Sequence, residues 1–439
     1  MRQIETLPFF HALRLQDVPP AVLAQVKLSL LDTMGVAAGG LATRLSGIIR
    51  TFAHATQPGP LPMLMDGRGT SLPGWALAAG TSIDSLDGHD GFNPSKGHIA
   101  APMMSSALAF AQSHGSSGAD LLRALVIGYE FGARAAMAQH GTVADYHTSG
   151  SWGAVTAAMV GAELAGLDPE RSRHALGIAE YHGPRSQMMR CIDHPTMVKD
   201  GAGWGAMCGV SAVLLAEAGF TGAPALTVED APAYWRDLGQ RWYAREQYYK
   251  PYPVCRWAQA PIEGVLHLRR THDLRPEQVA RIEIATFHES IRLATACPRT
   301  TEEAQYSTSF PCAVALVRGD VRPRDIADAA LNDPEVLRLS RATVMTEDAE
   351  ANAAFPLKRY ARVEVTLRDG RRLTSPRMEP RWDHTQPPTA ADLHEKFHSL
   401  ADPVLGEARA QALAAAIDRI EDGGLEDFWP LILTPPATG

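Results

Sequence analysis

The hydrophobic pattern of this 439-residue chain changes period twice, and few architectures accommodate that. Up to about residue 265, apolar residues recur at helical spacing or fill whole segments. Asp17-Val18-Pro19-Pro20 signals a helix start ahead of Val22, Val26, Leu28, Leu30 and Leu31, and Gly39-Gly40 signals its stop. Residues 119–138 are apolar nearly all round, as a central buried helix is, and Gly128 and Gly132 lie one turn apart to permit close helix contact. Residues 151–167 and 203–218, rich in Gly, Ala and Ser, suit tight packing in the same helical core.

From about residue 270 the period drops to two. Val279-Ala280-Arg281-Ile282-Glu283-Ile284-Ala285 alternates as a half-buried strand does. Ala361-Arg362-Val363-Glu364-Val365-Thr366-Leu367 faces Arg371-Arg372-Leu373-Thr374 across Asp369-Gly370, a hairpin signal. After Pro387-Pro388 helical spacing returns through Leu393, Phe397 and Leu400, and again from Leu413 to Ile420. The expected fold is therefore mostly α: a large all-helical domain (residues 1–265, completed by 391–439) with a smaller inserted α+β lid domain (266–390).

The chain is too long for one compact core, which agrees with two domains. At 45% apolar and 21% charged it reads as an ordinary soluble globular protein. A net charge of −8, with 41 basic residues and no basic run, argues against a nucleic-acid surface. Glu130 and Glu163 interrupt the two best candidate membrane spans, so no membrane association is expected. Met1-Arg2-Gln3-Ile4-Glu5-Thr6 carries no apolar signal core. The five cysteines are odd in number and never spaced C-x-x-C, which disfavours a disulfide framework or zinc ribbon. A cytoplasmic location is expected.

His394-Glu395-Lys396-Phe397-His398 matches H-E-x-x-H, which on a helix can place two histidines on zinc with the glutamate as base. No third ligand is evident, and Phe397 and Leu400 mark an amphipathic helix, so no metal is expected there. A zinc hydrolase built on these residues is kept as a rival. Gly201-Ala202-Gly203-Trp204-Gly205 follows no strand and is not a dinucleotide loop. G-x-S-x-G and P-loop patterns are absent.

Four loops at helix starts concentrate chemistry instead. Residues 83–98 crowd Asp84, Asp87, His89, Asp90, Lys96 and His98 into a Gly/Pro-broken stretch that enters a helix near Pro102. His147 lies in Tyr146-His147-Thr148-Ser149-Gly150, and Lys199 precedes Asp200-Gly201. Lys250-Pro251-Tyr252-Pro253-Val254-Cys255-Arg256-Trp257 sets Lys and Arg in a stiff turn. Helix starts favour anions, so together these loops describe a carboxylate site.

Taken as a set, several stretches resemble the MmgE/PrpD family over nearly the whole chain. They are the opening helix from Lys27 to Val36, the loop from Asp84 to His98, Gly219-Phe220-Thr221-Gly222-Ala223-Pro224, Lys250-Pro251-Tyr252-Pro253, and Arg299 to Ser307. That family includes 2-methylcitrate dehydratase, cis-aconitate decarboxylase and iminodisuccinate epimerase. The resemblance implies a helical domain with an α+β lid, a homodimer, and acid–base chemistry on a small di- or tricarboxylate without metal or organic cofactor. Carried over position by position, it implies Asp84, His98 and His147 as catalytic residues. Lys199 and Lys250, with Arg256, His89 and Tyr252, would bind substrate. Cys255 stands where the decarboxylase type has histidine, Phe310 where it has tyrosine, and Ile99 where proline is usual; Gly88-His89 replaces a threonine-containing stretch. A 2-methylcitrate dehydratase-like hydro-lyase is the first expectation. Decarboxylation, epimerisation and a non-catalytic binding relative are the alternatives.

Overall fold

A computed structural model describes residues 6–436. Residues 1–5 of the stretch read for a signal core, and the last three of the expected 391–439 segment, lie outside them. Two hydrophobic cores organise the described chain. The first gathers side chains from Phe10 to Ala244 and then from Phe397 to Ile432. The second runs from Met188 to Leu367 and is built mainly from residues after Tyr252.

The first core is mostly helical, with Phe92 of a short strand and Met63 to Met65 of a turn added to it. Gly118–Thr142 is its longest helix; Ser117 and Asp120 cap each other's backbone at its start. A β-carbon on Gly128 would stand 2.3 Å from Met103 Cγ and 2.9 Å from Val160 Cγ1, so only glycine lets these helices meet. Ala202–Glu217 packs against Ser149–Leu164 and Leu72–Asp84, and Ala390–Leu405 lies along Pro20–Gly40. Pro20–Gly40 alone among the described helices is long and apolar enough to cross a membrane, and two-thirds of that stretch is buried inside the protein (67%). Glu130 pairs with buried Arg134 at 2.8 Å, and Glu163 with Arg123 at 2.9 Å, so both charges are matched within the core.

The second core carries a four-stranded sheet: β1 (Val279–Thr286), β2 (Thr343–Glu347), β3 (Ala361–Leu367) and β4 (Arg372–Thr374), in the order β2-β1-β3-β4. β1 and β3 pair antiparallel with Ile282 opposite Val365 and Ile284 opposite Val363, and their valine, isoleucine and leucine side chains all face the core. Gly370, at φ +90°, closes the β3–β4 hairpin. β2 adds a parallel edge strand that the sequence pattern does not anticipate.

The boundary expected at residue 265/266 falls inside the helix Arg256–His272. Trp257, Ala258, Ile262, Val265 and Leu268 of that helix all belong to the second core, so the helix packs as part of the α+β unit.

Candidate active site

The loop that follows Leu72–Asp84 runs between the two cores and is tied to both. Gly91 and Phe92 pair antiparallel with Tyr248 and Gln247, which places Lys250 against the loop. A β-carbon on Gly91 would meet Tyr248 Oη at 2.3 Å and His98 Nδ1 at 2.9 Å, so this contact requires glycine. From the α+β side, Gln305 Nε2 donates to Ser85 O at 3.0 Å. Three non-glycine residues of the site segments, Asp87, Lys96 and Lys199, hold φ of 51°, 54° and 48°. Such conformations cost free energy and cluster where geometry serves function.

His98 enters the helix Ala100–His114 with its backbone N–H on Ser149 Oγ at 2.9 Å. Its Nδ1 lies 2.6 Å from the Asp90 carbonyl, an oxygen that only accepts, so the ring proton sits on Nδ1. Nε2 stands 3.8 Å from Asp87 Oδ1 and has no hydrogen-bond partner among the described residues. The His89 ring lies edge-on to His98, with centroids 4.6 Å apart, and reaches Asp84 Oδ1 at 3.5 Å. Lys250, fully buried, donates to the Asp87 carboxylate and to its carbonyl at 3.0 Å. Lys199 donates to Gln305 Oε1 and sits 4.6 Å above the Tyr306 ring.

At two helix starts expected to receive an anion the protein's own carboxylates take backbone N–H groups, that of Ser149 at the first residue of Ser149–Leu164 and that of Asp200 two residues ahead of Ala202–Glu217. Asp200 Oδ1 accepts from the Ser149 N–H at 2.9 Å, and Asp84 Oδ2 accepts from the Asp200 N–H at 3.2 Å. Two lysines lie beside these acids: Lys250, ion-paired with Asp87, and Lys199, bonded to the neutral Gln305.

Burial sets the protonation states. It drives His98 well below its ordinary value, with the Lys250 charge adding to the effect, so the ring is neutral near pH 7. Burial and the neighbouring Asp84 push Asp200 up to about 7, and burial pushes Asp90 up to about 6. Asp84 goes the other way: burial raises it, but the His89 hydrogen bond and Lys199 charge outweigh that and hold it below the ordinary range. The site thus offers a neutral imidazole, an ionised acid and an acid that titrates around neutrality, with Lys199 and Lys250 close by.

Asp84, Asp87 and His89 bring one ligand atom each within 4.8 Å of one another, the only such His/Cys/Asp/Glu grouping among the described residues. Lys250 already bonds the Asp87 carboxylate, so a divalent ion would have to displace an ammonium. The grouping fits a cation poorly.

Comparison with known proteins agrees along the chain. Residues 7–235 match the MmgE/PrpD N-terminal domain and residues 252–422 the MmgE/PrpD C-terminal domain. The chain belongs to the MmgE/PrpD family. A cis-aconitate decarboxylase of Aspergillus terreus is 24% identical over 92% of this chain and 91% of its own length. A cis-aconitate decarboxylase-like protein, oryM, of Aspergillus oryzae is 24% identical over 93% and 92%. Family membership associates the chain with lyase and decarboxylase chemistry.

Within this MmgE/PrpD frame the structure gathers Asp84, His89, His98, Lys199 and Lys250. Three other expected residues bond elsewhere. His147 Nδ1 meets the Asp145 carbonyl at 2.9 Å, two residues before Ser149. Arg256 spends its Nη1 on the Tyr249 and Arg381 carbonyls at 3.0 and 2.9 Å. The Tyr252 hydroxyl donates to Glu263 at 2.8 Å and accepts from Arg381 at 2.9 Å. Asp87 and Asp90 belong to the loop singled out in the sequence but receive no role there, and Asp200, Gln305 and Tyr306 lie within or beside the quoted motifs without standing out.

In the H-E-x-x-H match, His398 Nδ1 pairs with Asp402 at 2.8 Å, and His394 Nε2 stands 3.8 Å from Asp418. The central lysine is the residue that reaches the site. Lys396 Nζ bonds the Gly88 carbonyl at 2.7 Å and buried Asp32 at 2.6 Å. A cleft of 1130 Å³ runs behind the site loop at Leu86 and Gly88 and along Pro251 and Pro253. Its walls mix Arg44, Arg322 and Arg324 with Asp320, Asp328 and Glu395. Arg381, Lys396 and Asp392 also line it, so charges of both signs mix in its walls and the expected cationic character does not appear there.

Proposed function

We propose that this protein is a lyase that moves a proton at the carbon α to a carboxylate of a small di- or tricarboxylate, with dehydration as its net reaction. The observation that carries the reading is the fixed tautomer of His98. Its Nδ1–H is held by the Asp90 carbonyl and its Nε2 lone pair is left free, in a ring that burial keeps neutral. A group in that state accepts a proton and has none to give from Nε2.

In the proposed step His98 Nε2 takes the α-proton, and the C–H electron pair becomes the new C=C bond. The adjacent C–O bond breaks, and the departing hydroxide takes a proton from the Asp200 carboxyl, directly or through Ser149 Oγ, to leave as water. Asp200 suits the acid role because burial and Asp84 raise it to about 7, so it can give up a proton around neutrality. Lys199 and Lys250 meet the charge that develops on the substrate carboxylate. Acid–base groups and ammonium ions of the chain suffice for this route. His147 is held in the same way, Nδ1 against the Asp145 carbonyl. Its Nε2 also has no partner among the described residues, so it is the other candidate to carry a proton.

Decarboxylation is the second reading, favoured by the names of the Aspergillus relatives. That route ends with protonation of carbon. Burial raises the Cys255 thiol to about 12, a weak proton source at the position where the decarboxylase type carries histidine. On the strength of the family resemblance we further propose a homodimer, and from the unpaired cysteines a cytoplasmic location. Incubation with 2-methylcitrate, citrate and cis-aconitate, followed by proton NMR and CO2 assay, tests the reading. An unsaturated product from a hydroxy-acid without CO2 supports it; CO2 release establishes the second reading instead.

A further inference from the structure

Two arginines of the α+β unit flank the ring of Tyr248. Arg256 lies 4.2 Å and Arg359 5.8 Å from its centroid. Arg256 has a counter-charge in Asp383 at 3.5 Å. Arg359 has none: no carboxylate oxygen lies within 4.0 Å of it among the described residues, although it is only 3% exposed. Its Nη1 donates to Asn93 Oδ1 and to the Pro356 carbonyl at 2.9 Å, and its Nε is buried without a partner. A desolvated guanidinium lacking a counter-ion is costly, and proteins keep one where an anion arrives.

The position of Arg359 indicates which anion. Burial raises the hydroxyls of Tyr146 and Tyr248 and the thiol of Cys255, and Arg359 opposes the rise in all three. Asp200 reinforces it at Tyr146, and Asp87 at Tyr248 and Cys255. The guanidinium and the site acids therefore lie near the same side chains and act on them with opposite sign. Arg359 bonds Asn93 and so stands against the loop that carries His98. Lys96 of the same loop holds its Nζ 4.0 Å over the Tyr146 ring, likewise with no carboxylate within 4.0 Å among the described residues.

We propose that Arg359, with Lys96 beside it, forms a second carboxylate subsite that takes the distal carboxylate of the substrate, while the reacting end lies between Lys199, Lys250 and His98. This rests on the polycarboxylate reading above and sharpens it, because a monocarboxylate leaves Arg359 unmatched. The planar fork with its free Nε is the donor geometry a carboxylate accepts in pairs.

Tricarballylate, which has three carboxylates and no hydroxyl to lose, is the probe. Calorimetric titration of the wild-type protein, Arg359→Met and Arg359→Lys gives three dissociation constants. Arg359→Met should weaken binding by about 10- to 100-fold, the worth of charge-assisted hydrogen bonds. Arg359→Lys should lie between, since it keeps the charge and loses the fork. In turnover with the substrate found above, KM should rise while kcat changes little, a split that a purely structural role would not produce. Unchanged affinity in Arg359→Met overturns the subsite and leaves the polycarboxylate reading standing. Should Arg359→Met not fold, unchanged affinity in Arg359→Lys overturns it equally. Failure of the wild-type protein to bind tricarballylate, citrate or cis-aconitate overturns the parent reading instead.

Discussion

The Nδ1 of His98 lies 2.6 Å from the carbonyl oxygen of Asp90, and that contact determines which nitrogen can do chemistry. Because the carbonyl can only accept, the proton is fixed on Nδ1 and the basic lone pair on Nε2. Replacing His98 by Gln keeps a side chain of similar reach but removes the base. We expect kcat to fall by about 10²–10⁴-fold, the usual worth of a general base. The wild-type pH–rate profile should show no loss of base function through pH 6.5, since burial holds this imidazole neutral well below that value.

Lys396 couples the C-terminal helix to the site loop. Among the described residues it is the one polar partner of Asp32, and it also holds the Gly88 carbonyl. Lys396→Met should cost about 3–5 kcal/mol of stability, because a buried carboxylate is left bare. The double change Asp32→Leu with Lys396→Met should recover much of that loss, yet kcat should stay low because Gly88 remains unheld. Denaturant unfolding of the two variants, with kcat measured on each, checks both statements; equal stability in the single and double variants would contradict the first.

Asp200 should make folding stability depend on pH in a specific direction. Its ordinary value is 3.8 and its folded value about 7, so the folded protein binds more protons than the unfolded chain between those limits. The contribution is fully present below about pH 4 and is lost as pH rises through about 7. Asp90, raised to about 6, acts with the same sign. Relative to wild type, Asp200→Asn should flatten the decline between pH 4 and 7 by on the order of a few kcal/mol. Urea midpoints across that range provide the measurement, and parallel pH dependences would contradict the assignment.

The H-E-x-x-H histidines should be dispensable. His394 and His398 are aligned with Asp418 and Asp402 rather than with each other. His394→Ala combined with His398→Ala should leave kcat/KM within about twofold, in keeping with the small effects of most surface changes. A drop of 100-fold or more, with loss of a stoichiometric metal in elemental analysis, would reinstate the zinc hydrolase.

Periodicity makes the helical core and the β3–β4 hairpin legible in the sequence alone, because each buries one regular face. It fails at β2, an edge strand whose residues are mostly exposed and carry no apolar face to read. It also misplaces the domain boundary. Arg256–His272 has the same helical period as the helices before it, and only its packing assigns it to the second core. In the site, Asp84, His98, Lys199 and Lys250 stand out as rare residue types in Gly/Pro-broken loops. Residue type does not report direction, so nothing in the sequence tells Lys250, turned onto Asp87, from Arg256, turned onto backbone carbonyls. Lys396 is hidden inside a motif that draws attention to its histidines, although its spacing from Leu393 and Leu400 places it on the buried face.

Proton transfer at carbon by His98 is the central claim, and solvent exchange tests it whichever net reaction the enzyme completes. Wild-type protein and His98→Gln would be incubated in D2O with 2-methylcitrate, citrate or tricarballylate, and deuterium at the carbons α to the carboxylates followed by proton NMR. The account predicts deuterium incorporation into at least one of these acids with wild-type protein, slowed by about 10²-fold or more in His98→Gln. Exchange at equal rates in the two proteins would contradict it.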